Sequence, residues 1–209
     1  MINAIIFDLD LTLVDSLEAS TIGINMVARE FGLPEVTKEQ TLKAMPLPDK
    51  IFWRNFWGTY DESWNAFFKS RVIPEVTHLC GLYPGAEDIL QSAKQKGLLL
   101  AIATNRVNPW IDLALMNIAK YFDTAVGASD VPNPKPEPDM LLAVLRQLGV
   151  EASSSIYVGD TAGDMKCAAG AGLRGLGLLQ GGCTQDELMQ AGAFAVRPTL
   201  SEGRDLLGC

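Results

Sequence analysis

The sequence predicts an α/β fold, a parallel sheet covered by helices on both faces and interrupted by one long helical insertion. Three observations predict it. Apolar runs bounded by turn residues recur along the chain, and helix-period segments fall between them. From about Ser16 to Leu82, by contrast, the text is helical and aromatic and holds no convincing strand. Runs that are apolar throughout are what strands buried on both faces require, and their alternation with helices is the mark of parallel crossover connections.

Taken in order, the candidate strands are Ala4–Phe7, Leu98–Ala103, Thr124–Ala128, Ile156–Val158 and Leu176–Leu179, with a shorter run at Phe194–Val196. The helical segments are Ala86–Lys96, Asn108–Ala119, Pro138–Leu148, Ala162–Ala171 and Gln185–Ala191. Within the insertion, IFWRNFWGTYDESWNAFFKS carries eight of the chain's sixteen aromatic residues. Their three-to-four spacing suggests helices, with Gly58 as a break. Most of these rings are expected to form the insertion's own core. The insertion thus falls between the first and second strands of the sheet, giving a core of residues 1–15 and 83–209 and an inserted unit of 16–82.

Of the 209 residues, 48% are hydrophobic and 20% charged, which places the chain among globular proteins. A net charge of −8 argues against a general nucleic-acid binder or a protein of anionic membrane surfaces. It leaves room for a small anionic substrate if the site carries its own cations. Cys80, Cys167, Cys183 and Cys209 form no C-x-x-C pair, so a reducing compartment is the simpler reading. Met1 stands just before the first strand and no apolar run approaches the ~20 residues of a bilayer span, so the chain is expected to be cytoplasmic. The single histidine, His78, excludes a multi-histidine metal site and leaves acid–base chemistry to carboxylates, Lys or Tyr.

In an open parallel sheet, ligands bind beyond the carboxyl ends of the strands. The first strand is followed by Asp8, Asp10 and Thr12, and the second by Thr104, Asn105 and Arg106. Asp130 and the loop VPNPKPEPD with Lys135 follow the third, and Asp160 and Asp164 the fourth. Carboxylates converging without histidine form a hard-oxygen site suited to Mg²⁺. Such an ion would offset the repulsion between Asp8, Asp10 and Asp160, and Lys135 would supply a compact positive charge for a phosphate. Thr104 and Asn105 offer a hydroxyl and an amide for phosphate oxygens. In the D-x-D pair, Asp8 suits the nucleophile that forms an aspartyl-phosphate. Asp10 suits the acid that protonates the departing alkoxide and then takes a proton from the hydrolytic water.

These residues resemble the motifs of the haloacid dehalogenase-like hydrolase superfamily, and the resemblance covers nearly the whole chain. DLDLTLVDS is similar to the first motif, D-x-D-x-T. Thr104 in AIATNR fits the second, Lys135 in PNPKPEPD the third, and VGDTAGDMKCAAGAG, with Asp160 and Asp164, the fourth. The resemblance implies a Rossmann-like core with a mobile helical cap inserted after the first motif. It also implies Mg²⁺ held by the Asp8 side chain, the Asp10 main-chain carbonyl and Asp160, with Asp164 nearby or acting through water. Within the superfamily the chain looks most like the phosphoglycolate phosphatase group. Leu11 stands where these phosphatases commonly have glycine, and a side chain there is expected to restrict the turn after Asp10.

The expected activity is therefore Mg²⁺-dependent hydrolysis of small phosphorylated metabolites through an aspartyl-phosphate. Haloalkyl dehalogenation is disfavoured, because dehalogenases of the superfamily lack the second acid of D-x-D. A sugar-phosphate mutase on the same fold, a phospho-receiver and a non-catalytic metal-binding scaffold are the alternatives. Substrate preference is expected to lie in the inserted unit, where Lys43, Lys50, Arg54 and Arg71 are candidate cations. Arg106 is a further candidate beside the second motif. Oligomeric state and the identity of the substrate are not encoded in these patterns.

Overall fold

The computed structural model describes residues 2–47 and 49–208 and divides into two compact units, Met1–Val14 with Leu82–Cys209, and Asp15–Gly81. The first unit is built on a six-stranded sheet in which every pairing is parallel. In chain order the strands are β1 (Ala4–Phe7), β2 (Val14–Asp15), β3 (Gly81–Leu82), β4 (Leu99–Ala103), β5 (Thr124–Val126), β6 (Ser155–Gly159), β7 (Arg174–Leu178) and β8 (Ala193–Arg197). The large sheet runs β5-β4-β1-β6-β7-β8, and β2 pairs with β3 where the chain leaves the sheet and returns.

This order puts β1 at the centre, with Phe7 registered against Ile102 of β4 and Val158 of β6. The carboxyl ends of β1, β4 and β6 therefore stand side by side. β1 is fully buried, as its uninterrupted apolar text requires. One core cluster joins Ile6, Ala101, Val126 and Tyr157 of the strands to Met140 and Val144 of the Asp139–Leu148 helix and to Cys167 and Ala168 of the Ala162–Gly170 helix. The sheet expected from the sequence is thus present, with boundaries shifted by a residue or two. One helix is shorter than its periodicity suggests. It spans Pro109–Leu115, because Asn117 takes a left-handed φ of 58° that ends the turn. Asn tolerates that conformation better than most residues.

The Asp15–Gly81 unit is helical, with helices at Leu17–Phe31, Lys38–Ala44, Asp49–Trp57 and Glu62–Phe67 followed by a π-helical turn at Phe68–Val72. Its centre is aromatic. Trp53, only 1% exposed, stacks on Trp57 with ring centroids 5.5 Å apart, and Trp57 meets Trp64 edge-on at 5.0 Å. Such pairs add about 0.5–1.5 kcal/mol beyond the area they bury. Gly58 does end its helix. Its φ is +71°, and its N–H still reaches the Arg54 carbonyl.

Among the described residues no helix is long and apolar enough to cross a membrane. Cys167 and Cys183 are free thiols, and Cys209 lies outside the described residues.

Candidate active site

Asp8 is the first residue beyond β1, and its N–H donates to the Val158 carbonyl at 2.8 Å, continuing the pairing with β6 by one more bond. The side chain is thereby fixed between the ends of β1 and β6. Asp160 follows β6 directly. Asp164 lies one turn into the Ala162–Gly170 helix, where T-x-x-D forms a reciprocal cap. Thr161 Oγ1 accepts from Asp164 N at 3.1 Å, while Asp164 Oδ2 accepts from Thr161 N at 3.0 Å. A local helix-start signal thus aims an acid into the site. Asp8, Asp160 and Asp164 are all buried and present oxygens within 4.8 Å of one another.

Lys135 is the cation among them. Its Nζ stands 2.8 Å from Asp8 Oδ1 and 2.7 Å from Asp164 Oδ1, and it donates to the Tyr157 hydroxyl at 3.1 Å. The Tyr157 hydroxyl in turn lies 2.8 Å from Asp164 Oδ1 and 3.0 Å from the Ala103 carbonyl, two acceptors for one proton. Thr12 Oγ1 donates to Asp160 Oδ1 at 2.8 Å. Gln180 holds the loop after β1, donating from Nε2 toward the Leu11 and Thr12 carbonyls and accepting from Leu200 N. Gly181 must lack a side chain, because a Cβ there would collide with the Asp160 carboxylate.

The electrostatics of this cluster are unbalanced. Burial pushes Asp8 up from 3.8 to about 7; Lys135 opposes that shift, and Asp164 and Asp10 add to it. Asp160 is driven well above the ordinary carboxylate range, by burial first and then by Asp164 and Asp8. Burial also disfavours the Asp164 anion, but Lys135, Thr161 and Tyr157 outweigh it and hold this acid low. For Lys135, burial alone would favour loss of the proton, and the charges of Asp164 and Asp8 more than restore it. Three buried carboxylates face one ammonium, so the site fits a further cation with hard oxygen preferences. Asp8 and Asp160 are side chains that could hold it. Asp164, already accepting from Lys135, Thr161 and Tyr157, is better placed to tune its neighbours.

The other expected residues take different positions. The Asp10 carboxylate turns to Arg106, accepting from Nη2 at 2.7 Å and from Nε at 2.8 Å. Thr104 is buried at the end of β4, its N–H on the Val126 carbonyl and its Oγ1 near Arg106 N. Asn105 is exposed and reaches the Lys135 carbonyl at 3.4 Å. Leu11 adopts a φ of 53° and is buried, so the glycine-like turn is kept with a leucine in it. Tyr157, Gln180 and the Arg106 pairing escaped sequence reasoning. Tyr157 reads as one more apolar strand residue, and the other two act across gaps of 96 or more positions.

A family model described as haloacid dehalogenase-like hydrolase matches residues 5–178. "Probable phosphatase IndB" of Dickeya dadantii is 30% identical, over 95% of this chain and 90% of that protein. The phosphoglycolate phosphatase of Escherichia coli K12 is 28% identical, over 86% of this chain and 82% of its own length. A solved structure from Clostridium acetobutylicum, described as a "predicted phosphatase", superposes with a TM-score of 0.87 at 23% identity, covering 99% of this chain and 98% of that one. That last likeness bears on the fold alone. With four motifs at the ends of neighbouring parallel strands and a family match across most of its length, this chain belongs to the haloacid dehalogenase-like hydrolases.

Proposed function

We propose that this hydrolase cleaves phosphate monoesters of small metabolites, phosphoglycolate-like acids among them, with Mg²⁺ bound at Asp8, the Asp10 main-chain carbonyl and Asp160. The observation that carries the proposal is the buried set of three carboxylates beyond the ends of β1 and β6, with the Lys135 ammonium as the cation paired with them among the described residues. When bound, Mg²⁺ supplies positive charge that lets a phosphate dianion approach these acids and polarises its oxygens. The similarity to phosphatases of bacterial origin supports the substrate class.

The chain's own residues then divide the reaction. The Asp8 carboxylate attacks phosphorus, forming an O–P bond while the ester P–O bond breaks. The Asp10 carboxyl gives its proton to the departing alkoxide. In the second half, the Asp10 carboxylate takes a proton from water as that water attacks phosphorus and frees Asp8. Lys135 holds Asp8 by charge and offers its ammonium to the phosphoryl oxygens, while Thr104 and Asn105 are assigned further contacts to the phosphate. Asp164 keeps Lys135 charged and in place. Preference for the remainder of the substrate is assigned to the helical unit, in keeping with a cap.

The test is phosphate release from a panel of phosphorylated metabolites, with Mg²⁺ and with excess chelator, alongside Asp8→Asn. Magnesium-dependent release lost in Asp8→Asn is the expected result. Isomerisation of a sugar phosphate without release would move the assignment to a mutase. No turnover by folded, magnesium-loaded protein would leave a scaffold.

A further inference from the structure

We propose that Arg106, braced by Asp112, is a positioning residue that orients the Asp10 carboxyl for proton transfer. The inference rests on the phosphatase reading above and adds to it the device that aims its acid–base group. Three distances define the device. Arg106 Nη2 and Nε lie 2.7 Å and 2.8 Å from the two oxygens of Asp10, and Arg106 Nη1 lies 3.2 Å from Asp112 Oδ1. A guanidinium engaging both oxygens of a carboxylate fixes its plane as well as its position, which a lysine cannot do.

The surroundings are built for this arrangement. The Arg106 side chain is 18% exposed and that of Asp112 9%, so neither is a solvated surface charge. Asp112 sits in the Pro109–Leu115 helix beside the buried Pro109 and Leu113. An acid there is costly to keep ionised, and burial does push Asp112 up; the Arg106 charge opposes that shift. The Arg106 main chain is fixed as well. Its carbonyl accepts from Ala128 N at 2.9 Å, and a Cβ on Gly127 would stand 2.5 Å from that oxygen. Arg106 is therefore held at its backbone and along its guanidinium edges.

The same geometry counts against Arg106 as a direct substrate ligand. Its guanidinium faces two carboxylates, so the charge an arriving phosphate or carboxylate would need is already shared between them. The effect of Arg106 reaches the reaction through Asp10. When the ester P–O bond breaks, its electron pair goes to the leaving oxygen and the Asp10 proton follows. A carboxyl that rotates freely would deliver that proton less often.

An ester series separates this role from simple binding. An alkyl phosphate needs its leaving oxygen protonated, whereas p-nitrophenyl phosphate expels a stable phenolate without help. Arg106→Lys and Asp112→Ala are expected to lower kcat/KM for the alkyl ester at least tenfold more than for the aryl ester. Asp112→Asn, which keeps an acceptor for Nη1, recovers part of that loss. A burst of nitrophenol accompanies it in the Arg106 variant, because the water-activating half of the reaction also needs an aimed Asp10. Parallel losses on both esters, or a rise in KM alone, would overturn the positioning role and return Arg106 to substrate binding. If the wild-type chain turns over and the variants keep its aryl-to-alkyl ratio, this inference alone fails. If the wild type releases phosphate from neither ester, the phosphatase reading falls and takes the inference with it.

Discussion

Lys135 and Asp8 form a buried ion pair, Nζ to Oδ1 at 2.8 Å, with side chains 6% and 10% exposed. The pair links the loop after β5 to the end of β1 and, on the proposed function, ties charge balance to catalysis. Removing the cation strands Asp8, Asp160 and Asp164 together. Lys135→Met is therefore expected to lower stability in chelator by about 3–5 kcal/mol, the range for breaking a buried pair from one side. The loss should be larger at pH 8 than at pH 5, where protonation relieves the stranded acids. Saturating Mg²⁺ should recover part of the loss, and phosphate release should remain at least ~10²-fold down. Denaturation curves at the two pH values, with and without Mg²⁺, measure this. A variant as stable as wild type in chelator at pH 8 would show that the pair does not balance the site.

The metal-free protein should also titrate in an unusual direction. Asp8 is raised in the fold from 3.8 to about 7. Between those values the folded state binds more protons than the unfolded one, so stability falls as pH rises through that window. Asp160, also raised, acts in the same sense. Asp164, held low, contributes stability that is lost only at more acidic pH. In chelator, Tm should be higher at pH 5 than at pH 8. On the proposed function Mg²⁺ would bind the deprotonated set and only in the fold, so it should stabilise most at pH 8 and shrink the difference. Calorimetry over this range checks the sign, and a chelator Tm that climbs from pH 5 to pH 8 would contradict it.

The sequence carries the sheet because each strand is an apolar run between turn residues, and it carries Asp8 and Asp160 because an acid directly after such a run is conspicuous. Asp164 is visible for a second reason, the capping pattern that begins at Thr161. Tyr157 stays hidden because nothing local separates it from Ile156 or Val158. Its hydroxyl acquires meaning only through Lys135, 22 positions away, and Ala103, 54 away. Arg106 was legible as a cation near the second motif but not in its partner, since no periodicity relates it to Asp10. The helix after it is shorter than the sequence suggests because its apolar spacing continues past Asn117 while the backbone does not.

Tyr157→Phe tests the hidden contact. The substitution keeps the ring in the core and deletes the oxygen that Lys135 donates to and that faces Asp164 and the Ala103 carbonyl. Leaving such buried groups short of a partner costs about 1–3 kcal/mol. Stability should drop by that amount, and kcat should fall several-fold as Lys135 loses a restraint. Chemical denaturation and phosphate-release kinetics read the two effects. Unchanged kcat with the expected stability loss would confine Tyr157 to folding.

Leu11 offers a comparison in which the usual order of two residues should reverse. Its φ of 53° lies in the left-handed region, its N–H donates to the Val14 carbonyl at 2.8 Å, and its side chain is 1% exposed. A left-handed turn, for which glycine is the favoured residue, is thus paid for here by burying a leucine. Truncation to Ala or Gly removes that burial alike, at a cost of about 2–5 kcal/mol. What then separates the two variants is backbone alone. Alanine keeps the left-handed penalty of roughly 1–2 kcal/mol, whereas glycine escapes it and gives up about 0.4–1 kcal/mol through the greater freedom of its unfolded chain. Leu11→Gly should therefore be more stable than Leu11→Ala by up to about 1.5 kcal/mol, the opposite of their order at an ordinary position. Paired denaturation curves decide it, and an alanine variant that is the more stable of the two would mean that the turn relaxes out of the left-handed region once the leucine is gone.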